Sequence, residues 1–282
     1  MARGVHSGLR PSRRSVLGLA GLAVVAAGCG EEPVNRSDRT IRYGDDPSQF
    51  AEIFYPDGHS RGVVVVIHGG FWRAAYDASL GRPLAHSLAE EGWTAWNLEY
   101  RRVGPAGSGG GGGSPQTLDD VAAGIVALAD VDGLDTSRVI TLGHSAGGHL
   151  ATWAASRGRF ERWQPERVRV TGVVSQAGVL DLRAAYELGL GGGAVEAFLG
   201  HPPGPEDDPV EPLRQVPLDV PVRCIHGRDD TTVPISQSES YVDAATAAGG
   251  DAALADVAGD HFVVIDTSSP VWNRQLEILA AL

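Results

Sequence analysis

At 282 residues, with 43% hydrophobic content and a formal charge of −12, the chain is long enough for one large α/β domain or two small ones. All 23 basic residues are arginine; Arg3, Arg10, Arg13 and Arg14 fall in the first 28 residues, where no acid occurs, and the remainder sets 19 arginines against 35 acids, a net of −16. Such a surface is a poor one for nucleic acid or an anionic polymer, and the lack of a repeat at a period of about 20–50 residues argues against a solenoid or propeller.

Residues 1–28 read as an address rather than as fold. A basic stretch with Arg13-Arg14 precedes the apolar run Val16 to Ala27, which is too short for a membrane span of about 20 residues. Ser12-Arg13-Arg14 resembles a twin-arginine export signal, an ordinary positive n-region being the alternative. Ala26-Ala27-Gly28-Cys29 resembles a bacterial lipobox. That resemblance implies an exported lipoprotein, lipidated at Cys29 and anchored to a membrane surface facing outward; secretion without lipid is the alternative. Residues 29–39 are polar and expected to be a flexible tether. The other cysteine, Cys224, lies in the apolar run Val220 to Ile225 and reads as a buried small hydrophobe. A disulfide to Cys29 is open only if lipid does not take the first thiol.

From residue 40 a β/α alternation begins. Ile41 to Tyr43 and Phe50 to Tyr55 suit a hairpin across the turn-rich Gly44-Asp45-Asp46-Pro47. Gly62 to Ile67, with four consecutive valines, suits a strand buried on both faces of a parallel sheet. It ends at His68-Gly69-Gly70-Phe71-Trp72, where glycines allow backbone N–H groups to point at a ligand. Arg82 to Glu91 has helical spacing and Trp93 to Tyr100 reads as a strand. Gly104 to Pro115, with five consecutive glycines, looks like a flexible linker, but the alternation resumes beyond it, which favours a surface loop.

Thr117 is expected to cap a helix running to about Ala129, with Asp120 at the capping-box position. Val139 to Leu142 then feeds Gly143-His144-Ser145-Ala146-Gly147, a G-x-S-x-G pattern between a β-like run and a helix from Gly147 to about Ser156. Val168 to Ser175 is the next strand. Asp181 to Leu218, rich in Gly, Pro and acid, is expected to cross the sheet as a short, partly helical cap. The strand Val220 to Ile225 leads into His226-Gly227-Arg228-Asp229-Asp230; a helix from Ser236 to Ala248, a strand from Ala252 to Val257, Gly259-Asp260-His261-Phe262 and a closing helical segment from Pro270 complete the chain.

A serine hydroxyl is a weak nucleophile at neutral pH and needs a histidine base, itself oriented by a carboxylate. The order here is Ser145, then Asp229 or Asp230, then His261. Histidine richness raises the rival of a metal centre, but no H-E-x-x-H or similar ligand spacing occurs, and neither a metal nor another cofactor is expected.

With these motifs in place, residues 40–282 resemble the α/β-hydrolase superfamily, whose chain order is serine, acid, histidine. The fold this implies is a three-layer α/β/α sandwich around a doubly wound, mostly parallel sheet with a small cap insertion. The resemblance implies Asp230 as the acid, from the pattern H-G-x-x-D-x-x-V-P. It implies an oxyanion hole from the N–H groups of Ala146 and of Gly70 or Phe71. HGGFW, GHSAGGHL and Asn97 to Arg102 are similar to the group holding short-chain carboxylesterases and kynurenine formamidases. Hydrolysis of a small carboxylic ester is therefore the expected activity, with formamide hydrolysis as the alternative. Phe71 and Trp72 are candidate walls of an acyl or aromatic-alcohol pocket, core packing being the alternative. A catalytically silent binding protein of the same fold is the reading from another class.

Overall fold

The computed structural model describes residues 39–282 apart from 108, 165 and 166; the expected signal peptide, nearly all of the tether, and Cys29 lie outside them. The chain enters through an antiparallel hairpin, β1 (Arg39–Arg42) and β2 (Phe50–Phe54). It then alternates through β3 (Val63–Ile67), α1 (Arg82–Glu90), β4 (Thr94–Leu98), α2 (Gln116–Val126), β5 (Val139–His144), α3 (Ala146–Ser156) and β6 (Gly172–Gln176). Two short helices, α4 (Leu182–Glu187) and α5 (Ala194–Leu199), occupy the cap segment. The chain closes with β7 (Val222–Gly227), α6 (Ser236–Ala247), β8 (Ala252–Val257) and α7 (Pro270–Ala281). The sheet order is β1-β2-β4-β3-β5-β6-β7-β8, parallel from β4 to β8. This is the α/β-hydrolase architecture that the resemblance implies.

The layering follows from β3. All five of its residues are buried. Val63, Val65 and Ile67 enter the apolar cluster that also holds Leu118 and Ile125 of α2, Leu150 and Trp153 of α3 and Tyr241 of α6. Val64 and Val66 enter the opposite cluster, with Leu84 and Leu88 of α1 and Trp272 and Leu279 of α7. Side chains alternate across a strand, so an unbroken valine run is buried only between two layers. Each such side chain contributes roughly 1.5–3 kcal/mol relative to exposure.

Two local expectations are corrected. Thr117 is not an N-cap: α2 begins after Pro115 with no side-chain cap. Its hydroxyl donates to the Arg101 carbonyl at 2.6 Å and accepts from Gly113 N–H, while Asp120 pairs with Arg101 at 2.7 Å. The capping-box spacing therefore ties the helix to the loop before it. That glycine-rich loop is not slack either. Gly111 N–H bonds the Gly104 carbonyl and Gly112 N–H bonds that of Arg102. A Cβ on Gly109 would lie 2.0 Å from Arg102 Nη2, so the missing side chain is what lets the loop close over the guanidinium.

β5, β7 and β8 run parallel, which puts the loops after them on one edge of the sheet, where open α/β sheets bind ligands. Gly227 and Val257 are register partners, so the loops carrying Asp230 and His261 emerge side by side.

Candidate active site

Between the last residue of β5, His144, and the first of α3, Ala146, Ser145 alone makes the turn. It does so at φ 56° and ψ −119°, a conformation that costs a non-glycine residue on the order of 1–3 kcal/mol. Its surroundings over-determine it. Ser145 N–H bonds the Gln176 carbonyl at 2.8 Å, and its own carbonyl accepts from Gly148, His149 and Val179. A Cβ on Gly147 would lie 2.0 Å from the Ile67 carbonyl oxygen, so only glycine lets α3 start against the end of β3.

The structure brings Asp230 and His261 together: Oδ2 of the first lies 2.6 Å from Nδ1 of the second. The other carboxylate oxygen accepts the N–H groups of Thr232 and Val233, each at 2.8 Å. Burial opposes ionisation of Asp230, but hydrogen bonds from His226, His261 and Val233 outweigh it and hold the carboxyl well below its usual range. His144 lies between this pair and Ser145. It adjoins Ser145 in sequence, its Nε2–H donates to the His261 carbonyl at 2.9 Å, and the two rings lie 4.5 Å apart. Burial, with His261 nearby, lowers the pKa of His144 to about 3, so it stays neutral. Among the described residues the Ser145 hydroxyl and His261 Nε2 make no hydrogen bond; serine–histidine bonds of this kind often tighten only when substrate binds.

The HGGFW loop lies against the serine, since a Cβ on Gly69 would come within 3.0 Å of Ser145 Cβ. Gly70, Phe71 and Trp72 follow one another at φ 109°, 52° and 56°. Three successive left-handed residues, two of them not glycine, hold a strained loop of the kind that clusters at functional sites. The N–H groups of Gly70 and Phe71 donate to no other group among the described residues, and Ala146 N–H opens α3, where amides lack helical partners.

Trp72 is a correction. Its side chain is fully buried, stacks on Phe198 of α5 at 4.6 Å and donates to His149 Nδ1 at 3.2 Å. It joins the loop to the cap and is no pocket wall. Phe71 remains half-buried beside Gly191, whose carbonyl is bonded by Arg73. His226, which opens the acid loop, is buried as packing and loop hydrogen bonding: its Nε2 lies 3.2 Å from Asp230 Oδ2 and 2.8 Å from the Val233 carbonyl, while Nδ1 meets Ser238 Oγ at 2.8 Å. Cys224 is buried and in no disulfide among the described residues, and burial raises its thiol pKa to about 12, which disfavours the thiolate.

The sequence profile of the BD-FAE family matches residues 52–244. Esterase LipC of Mycobacterium tuberculosis is 28% identical over 224 residues, 73% of this chain and 54% of its own. Isoprenylcysteine alpha-carbonyl methylesterase of Arabidopsis thaliana is 27% identical over 268 residues, 85% of this chain and 60% of its own. The chain thus spans little more than half the length of these relatives. Among solved structures, esterase B from Lactobacillus rhamnosis superposes with a TM-score of 0.71 at 22% identity, covering 86% of this chain and 85% of that one.

Proposed function

Because the chain belongs to the BD-FAE family and has the α/β-hydrolase fold, we propose that it hydrolyses small carboxylic esters through Ser145, His261 and Asp230. The observation that carries the reading is the 2.6 Å contact between Asp230 and His261 Nδ1, made beside a serine on a strained strand-to-helix turn. An ionised carboxylate on Nδ1 fixes the tautomer that leaves Nε2 free to accept a proton.

In the proposed cycle Ser145 Oγ attacks the ester carbonyl as its proton passes to His261 Nε2. The tetrahedral oxyanion is met by the N–H of Ala146 and that of Gly70 or Phe71, each donor worth about 3 kcal/mol. Collapse expels the alcohol, which takes the proton from His261, and leaves an acyl-serine. Water, deprotonated by the same histidine, attacks that acyl group and returns the carboxylic acid and free Ser145. The esterase names of the relatives support this class of substrate. The N-terminal motifs support export and a lipid anchor at Cys29.

Hydrolysis of p-nitrophenyl acetate and butyrate by the purified protein, beside Ser145→Ala, tests the proposal. Turnover lost in the variant is expected; equal rates in the two proteins would remove the enzymatic reading. Adding N-formylkynurenine and a feruloyl ester to the panel then sorts formamide from ester hydrolysis and one acyl class from another.

A further inference from the structure

The oxyanion loop rests on a buried polar chain that begins 31 residues further along the sequence. Glu99, 2% exposed just past β4, gathers three hydrogen bonds and an ion pair on one carboxylate. Oε1 accepts Tyr100 N–H at 2.8 Å, lies 3.2 Å from His68 Nε2 and pairs with the Arg102 guanidinium at 2.8 Å, and Oε2 accepts Ala78 N–H at 2.8 Å. His68 is buried, stacked on the Tyr100 ring at 4.5 Å, and its carbonyl accepts the Tyr100 hydroxyl at 2.7 Å. Its remaining ring atom, Nδ1, lies 2.8 Å from the carbonyl oxygen of Gly69. Both ring nitrogens thus face oxygens, one of Glu99 and one of the Gly69 backbone, so the ring is held from two sides.

The contact to Gly69 has a directional consequence. In a trans peptide the C=O and the following N–H point opposite ways. Holding the Gly69 oxygen toward the imidazole therefore turns the Gly70 N–H away from it, on a loop that lies against Ser145 and whose Gly70 N–H is unbonded among the described residues. Gly70 at φ 109° gives the peptide no steric preference of its own, so the orientation has to be imposed from outside.

We propose that His68, fixed by Glu99, is a positioning residue that sets the Gly69–Gly70 peptide so that Gly70 N–H serves as an oxyanion donor. This rests on the serine-hydrolase reading of the site. An oxyanion donor acts on the transition state and not on bound substrate, so the clamp governs kcat and leaves KM alone. Arg102 and Tyr100 hold Glu99 and His68 in turn, which gives the Asn97 to Arg102 segment its place at the site.

The test uses the full chain with Glu99→Gln and, in case that variant does not fold, His68→Gln, each checked by thermal melting. With p-nitrophenyl acetate, kcat is expected to fall about 10- to 100-fold at a KM within about threefold. Affinity for phenylboronic acid, whose tetrahedral serine adduct places an oxygen in the same hole, should fall by the same factor as kcat. A folded variant with kcat and boronate affinity within about twofold of the unaltered chain, or with its loss in KM, would overturn the clamp while leaving the esterase reading intact. An unaltered chain without Ser145-dependent turnover would sink that reading, and this inference with it.

Discussion

Ser145 and Trp72 lie on loops leaving two adjacent parallel strands, β5 and β3, and both take φ 56°. The serine is held there almost wholly by backbone: the bond to Gln176, three N–H groups on its own carbonyl and the side-chain-free approach of Gly147 to Ile67. The tryptophan is held by side chains from distant segments, Phe198 in the cap and His149 on α3. Nearby His149 also donates through Nε2 to the Val210 carbonyl at 2.8 Å, so one imidazole ties the loop, the helix and the cap together. The first device is self-contained, and the second exists only once the cap has docked. Changes on the serine side should therefore cost turnover, and changes on the tryptophan side should cost stability.

The largest effect is expected from Asp230→Asn. It keeps the shape of the side chain but offers His261 Nδ1 an uncharged partner, and kcat should fall by about 10⁴-fold. Thermal melting should stay near that of the unaltered protein, since the amide oxygen can still accept the Thr232 and Val233 N–H groups. A large drop in melting temperature together with a small loss in kcat would show that the division between the two regions is wrong.

Trp72→Ala works from the other side. Removing a fully buried indole leaves a cavity between loop and cap and strips His149 Nδ1 of its donor, a loss of about 3–5 kcal/mol in urea unfolding. Trp72→Phe, which retains most of the stack on Phe198, should lose less than half of that. If the alanine variant unfolds like the unaltered chain, the cap is not anchored through this residue.

What could be read from the sequence follows the same line. The valine run of β3 and the serine turn announce themselves because each is a local pattern with a local cause, burial on two faces and a strained turn; the preference for Asp230 over its neighbour Asp229 comes only from the resemblance to the α/β-hydrolase motif. Trp72 looked like a pocket wall because nothing near it in sequence tells that Phe198, more than a hundred residues on, will cover it. Thr117 and Asp120 have the spacing of a capping box, but Arg101 competes for Asp120 and wins with two charge-assisted hydrogen bonds. The glycine run read as slack for the same reason, since Arg102 beneath it is visible only in three dimensions.

The tie through His149 also has a pH signature. Burial lowers its pKa from 6.5 to about 4, so the folded protein favours the neutral ring. The corresponding stability is complete above the unfolded value of 6.5 and is lost as pH falls toward about 4, roughly 3 kcal/mol in all. His144, lowered to about 3, adds a loss of the same sign. Urea unfolding at pH 7 and pH 4.5 should show this drop, and His149→Gln, whose amide can still accept from Trp72, should show a smaller one. An equal drop in the variant would exclude His149 as a source.

The smallest effect tests how local the serine-side chemistry is. Asp229 and Asp230 are neighbours in sequence, yet the first is exposed, and its carboxylate accepts no hydrogen bond among the described residues; only its N–H is engaged, with the Gly259 carbonyl at 3.0 Å. The backbone turn that aims Asp230 inward at His226 and His261 aims Asp229 out into solvent. Asp229→Asn should therefore leave kcat/KM within about twofold and stability within about 0.5 kcal/mol, against the several orders of magnitude expected one residue later. Equal losses in the two variants would mean that the His261 loop answers to the charge of the whole turn and not to a single aimed carboxylate, and the assignment of Asp230 would fall.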